Sequence, residues 1–179
     1  HTGPETGFPV IAFKTDPERD HICPFVSASG CQVYNHRPAS CRMYPIARAV
    51  SRCRQTGKTT EHFALLKESH CQGHHQPKRQ TVREWIDTQG LRPYNAYNDL
   101  LLALIYRKNQ LKPGSLGPAA QRQFHLALYD LDAFREIAFD EGFFKILSLD
   151  RETFEKAQQK DTALLEVGIN WLKETIFKP

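Results

Sequence analysis

Five cysteines carry the reactive chemistry of this sequence, at Cys23, Cys31, Cys41, Cys53 and Cys71, and none follows them. An odd number cannot pair completely within one chain, and a polypeptide of 179 residues does not need disulfide staples to hold a core. Thiols concentrated in one part of the chain point to metal ligation, with disulfides and unrelated buried thiols as the alternatives. Thiolates hold Zn²⁺ tetrahedrally, and the same donors suit an iron–sulfur cluster. Histidines stand among them: His36 lies between Cys31 and Cys41, and His70, His74 and His75 flank Cys71. Any of these could replace one thiolate in a Cys₃His set.

Other chemistry finds little support. There is no Gly-rich phosphate loop, no Gly-x-Ser-x-Gly elbow and no His-Glu-x-x-His zinc helix. A di-iron helical site would need Glu-x-x-His pairs, which are missing. The main enzymatic alternative is Cys53 as a nucleophile or redox partner, since Arg52 and Arg54 beside it would favour the thiolate. No general base accompanies it.

Around the first three cysteines the residues form specific strings: Cys23-Pro24-Phe25, Gly30-Cys31-Gln32-Val33-Tyr34, Arg37-Pro38 and Cys41-Arg42-Met43-Tyr44-Pro45. Cys71-Gln72-Gly73 and Pro93-Tyr94-Asn95 follow. Together, over roughly residues 10 to 99, they resemble the YkgJ-type cysteine-cluster family, described as a zinc- or iron-chelating domain. The resemblance implies that Cys23, Cys31, Cys41 and Cys71 are the metal ligands, holding a [4Fe–4S] cluster by preference or zinc as the alternative. The dense upstream cysteine group of that family has no counterpart in this chain, and neither does Cys53 in the family pattern. Some relatives, the flagellin lysine N-methylases among them, are linked to methyl transfer. Membership of a methyl-transfer or redox enzyme is therefore the second functional reading, beside a structural, electron-transfer or metal-handling role.

A thiolate-rich centre carries negative charge that must be balanced if it is partly buried. From His21 to Thr60 there is no Asp or Glu, whereas Arg37, Arg42, Arg48, Arg52, Arg54 and Lys58 all fall there. Arg37 and Arg42, nearest the ligands, are expected to line the cofactor, donating toward sulfur and tuning it. The competing reading of the basic stretch is a solvated face. Without interleaved aromatics it makes no recognisable nucleic-acid platform.

The elements that must position these groups divide by composition near Lys78. Residues 1–78 hold every cysteine and most histidines with little periodicity, as an irregular cysteine-rich metal-binding module would. Strand signals there are short, at Val10–Lys14 and Gln32–Tyr34. Residues 79–179 read as four to six helices packing on that module, which makes the fold mainly α. Thr81 with Glu84 forms a capping box, Pro93 suits a first helical turn, and Leu100, Leu101, Leu104 and Ile105 share a face. Gly117-Pro118 restarts a helix, Asp132 is expected to cap a segment stopping near Gly142, and Asp150 caps a last helical region. Within that region Leu164, Leu165, Gly168, Ile169, Leu172 and Ile176 keep three- and four-residue steps. Phe134, Phe139, Phe143 and Phe144 read as core, with a docking face as the alternative where part of the cluster is exposed.

A formal charge of +4 and 40% hydrophobic residues suit a folded soluble chain. The longest strictly apolar run, Leu100 to Tyr106, is far too short to span a bilayer. The chain opens without Met or a leader pattern, so an upstream segment is expected. The expected setting is the cytoplasm, with a protein partner on the helical region and nucleic acid disfavoured.

Overall fold

A computed structural model describes residues 7–53, 55–111, 113–140 and 149–177, without the side chain of Arg19. Arg54, Gly142, Phe143 and Phe144 lie outside these residues. The chain divides into two compact units, one of Thr15–Tyr97 and one of His1–Lys14 with Asn98–Pro179. The protein is mostly helical, with small two-stranded sheets confined to its N-terminal part.

The first unit is assembled from short pieces. Strands β1 (Val26–Ser27) and β2 (Gly30–Cys31) pair antiparallel, with Val26 opposite Cys31. Gly30 takes φ 105° there, a conformation costly to any residue with a Cβ. A single 3₁₀ turn at Tyr34–His36 and helix α1 (Ala39–Met43) follow. Next comes a longer hairpin, β3 (Ile46–Arg52) against β4 (Thr59–Leu65), in register from Ile46↔Leu65 to Arg52↔Thr59. Its tip closes with Cys53 N–H donating to Lys58 O at 2.9 Å and Gly57 N–H to Cys53 O at 2.9 Å, with Gly57 at φ 70°. Helix α2 (Val82–Thr88) carries the expected capping box: Thr81 Oγ1 accepts from Glu84 N–H, and the Glu84 carboxylate accepts from Thr81 N–H.

Two strand expectations fail. Val10–Lys14 joins no ladder, and Gln32–Tyr34 is a turn running into the 3₁₀ segment. Both apolar runs are too short and lie too close to prolines or polar turn residues to recruit a partner strand. The composition change near Lys78 falls inside the first unit, because α2 belongs with the cysteine-bearing segment.

The division between the units falls within α3 (Arg92–Leu111), which starts with Pro93 in its first turn as expected. The second unit continues through α4 (Pro118–Tyr129), α5 (Leu131–Ala138), α6 (Arg151–Gln159) and α7 (Asp161–Thr175). Asp130, not Asp132, caps α5, its carboxylate accepting from Ala133 N–H at 3.3 Å. The last helical region is two helices, broken at Lys160, whose φ of −130° and ψ of 120° are extended.

These helices enclose a core of Phe124, Phe134, Leu164, Leu172 and Phe177, all essentially inaccessible. Phe8 enters it from the N-terminal segment, stacked on Phe124 at a centroid distance of 4.4 Å. The fully buried Lys108 lies with its ammonium 5.9 Å from the Phe8 ring centroid and donates to Asn109 Oδ1 at 3.0 Å. Helices α4 and α7 meet at Gly168, where a Cβ would come within 2.5 Å of Ala127 O. Among the described residues no helix is long and apolar enough to cross a membrane.

Candidate functional site

The cysteine-bearing unit buries little: among its described residues only Leu91 and Asn95, at its C-terminal end, are buried. No described residue from Thr15 to Gly90 is buried as a whole, and Ile22, Val26, Tyr34 and Leu65 are each about half exposed or more. What holds the segment is hydrogen bonding. Arg42 spreads its guanidinium over three main-chain carbonyls: Nε donates to Arg37 O at 2.9 Å, Nη1 to Gln89 O at 3.2 Å and Nη2 to Asn35 O at 2.6 Å. Arg37 donates to Tyr34 O and to the Gln89 side chain while stacking 4.0 Å over the Tyr34 ring. Trp85 Nε1 donates to Met43 O at 3.0 Å. The loop before α1 is thus pinned to the end of α2. These bonds of Arg37 and Arg42 end on oxygen, whereas the sequence led us to expect them on sulfur.

All five cysteines are free thiols, so the disulfide alternative is not the arrangement seen. Cys23 is exposed in the turn before β1, Cys31 is exposed on β2, and Cys41 is exposed on α1. Cys71, half-buried, immediately precedes the 3₁₀ turn Gln72–His75. The expected convergence of Cys23, Cys31, Cys41 and Cys71 is not present in this arrangement. Among the described residues no three His, Cys, Asp or Glu side chains lie within reach of one metal ion. Cys53 sits apart at the tip of the long hairpin. There the Thr56 hydroxyl, then the Thr56 and Gln55 N–H groups, donate to its sulfur and lower its pKa below the usual thiol value.

Cys71 is the thiol with the most developed surroundings. It lines an open cleft of about 780 Å³ with Glu68, Lys67, His74, His75 and Arg79. The Tyr44 ring stacks on His70, and its hydroxyl lies 3.3 Å from His70 Nε2. Desolvation, then the hydrogen bonds the hydroxyl makes to Glu68 and Cys71, push Tyr44 well above the usual phenol range. On the same cleft His74 Nε2 is buried without a hydrogen-bond partner.

The sequence singled out Cys71, Arg37 and Arg42, yet gave no role to Tyr44, Glu68, Trp85 or Gln89. The one available signal was Trp85: an indole in a short capped helix needs an acceptor for its N–H. No protein-family model, no curated protein and no solved structure matches this chain. The resemblance to the YkgJ-type family therefore rests on the cysteine strings themselves.

Proposed function

We propose that this chain is a metal-binding protein whose Cys23, Cys31, Cys41 and Cys71 hold an iron–sulfur cluster or zinc, in a structural, electron-transfer or metal-handling role. The observation that carries the reading is the segment Thr15–Gly90, which bears five free thiols and of whose described residues none is buried as a whole. Ordering a residue costs about 1–2 kcal/mol in backbone entropy, and burial of apolar area is what normally offsets it. A segment that buries no whole residue needs another source of stability, and structural zinc supplies about 10–16 kcal/mol.

The donor chemistry fits such a centre. Three of the four thiols are exposed and sit on turns or elements of two to five residues, so they can be drawn together as the metal binds. The YkgJ-like strings support the same four positions. The basic, acid-free stretch supplies charge to balance thiolates, with Arg37 and Arg42, which also brace the ligand loop, placed to line the cofactor. Free thiols suit the reducing cytoplasm. The helical unit, with exposed Leu100, Leu111, Tyr129 and Ile137, offers apolar area to a protein partner.

Anaerobic purification followed by metal analysis and visible absorption tests the proposal. A brown protein with iron and acid-labile sulfide identifies the cluster, and a colourless one with one zinc per chain identifies the zinc site. A chain that holds neither, before or after reconstitution, is not this kind of protein.

A further inference from the structure

Two cations on the cleft beside Cys71 have no acid to answer them. Lys67 and Arg79 both line it, and among the described residues neither side chain takes part in an ion pair or a hydrogen bond. Both are exposed, so a ligand entering the cleft can reach them. The one carboxylate among the described lining residues, Glu68, is engaged elsewhere: it accepts from the Tyr44 hydroxyl and lies 3.6 Å from His70 Nε2. From Ser69 to Arg83 the chain carries no Asp or Glu at all. A cleft walled by one sign of charge concentrates ligands of the opposite sign. The partly buried His74 adds a ring nitrogen, Nε2, that no group of the protein satisfies.

Shape and chemistry narrow the anion. The planar fork of a guanidinium matches two oxygens of a phosphate, and an ammonium beside it adds a point charge. The cleft, at about 780 Å³, is larger than a phosphate fills and falls within the range of small-molecule sites. Leu65, half exposed on its wall, offers apolar surface to an organic remainder. We infer that this cleft binds a phosphate group, free or carried by a small organic molecule, with Arg79 and Lys67 as its anchoring cations. The inference uses no thiolate and no metal, so it stands or falls apart from the metal-binding reading.

The test is titration of the full chain, reduced and in chloride buffer, followed by ³¹P magnetic resonance with phenyl phosphate and inorganic phosphate as probes. The wild type should bind one phosphate group per chain. Lys67→Gln and Arg79→Gln should each weaken binding by about tenfold or more. Lys160→Gln, at the break between α6 and α7, should leave it unchanged. Glu68→Gln should tighten it by removing the carboxylate from the cleft, a gain that misfolding does not produce. Tighter binding of phenyl phosphate assigns the cleft to a phosphorylated molecule, and equal binding of the two probes assigns it to phosphate itself. No saturable binding of either probe, or equal affinity in the wild type and in a variant carrying both Lys67→Gln and Arg79→Gln, overturns the inference.

Discussion

Free thiols differ in what surrounds them, and that difference separates ligands from the spare. Cys53 closes a hairpin tip through its main-chain N–H and C=O, and serine would keep both bonds. Its sulfur accepts from donors of its own turn, Thr56 and Gln55. Cys31 and Cys41 lie where the chain is held by arginine braces instead of a core. Cys31→Ser or Cys41→Ser should therefore abolish metal binding and forfeit stabilisation on the order of 10 kcal/mol in the metal-loaded protein, whereas Cys53→Ser should leave metal content unchanged. Metal-to-protein ratios of the three variants check this. Equal loss in Cys53→Ser would show that the ligand set is wrong.

At the scale of elements, legibility followed the strength of local signals. Thr81 with Glu84, Pro93, Gly117-Pro118 and Asp150 all sit at helix starts, because capping and proline placement are decided within four residues. The β3–β4 hairpin stayed hidden. Its first strand, Ile-Ala-Arg-Ala-Val-Ser-Arg, is rich in helix-favouring Ala and Arg, and its strand identity comes from pairing with Thr59–Leu65. Gly57 followed by Lys58-Thr59-Thr60 was the available turn signal. The two-helix ending was equally obscure, since Lys160 breaks the region without proline or glycine.

The candidate site was legible in part. Residue types named the thiols, but the partners of Arg37 and Arg42 include Gln89, about fifty positions away, and no local pattern encodes that. One element contact permits a direct check. An alanine at Gly168 gains about 1 kcal/mol of helix propensity but drives its Cβ to 2.5 Å from a carbonyl that belongs to α4. Overpacking costs about 1–3 kcal/mol, and here the obstacle is backbone, which puts the cost at the upper end, so Gly168→Ala should destabilise the helical unit by a net of up to about 2 kcal/mol. A lower midpoint in denaturant unfolding is the expected result, and an unchanged or higher one would mean that α4 and α7 are not in such close contact.

Across the whole molecule stability is unevenly distributed. The helical unit buries many large aromatic and aliphatic side chains to zero accessibility, while among the described residues of the other unit only Leu91 is buried so completely. Regions with few buried contacts open first, and proteases cut what opens. If a metal holds the thiol-bearing segment, its removal should act on that segment alone. Tryptic sites at Arg48, Arg52 and Lys58 should be cleaved faster by about tenfold or more once a chelator strips the metal. The helical unit should retain its circular dichroism and resist cleavage over the same period, since its core owes nothing to thiols. Time courses of proteolysis read by mass spectrometry, with and without chelator, compare the two units in one sample. Identical cleavage in both conditions would mean that the segment is held by its arginine braces and hairpins without help from a metal.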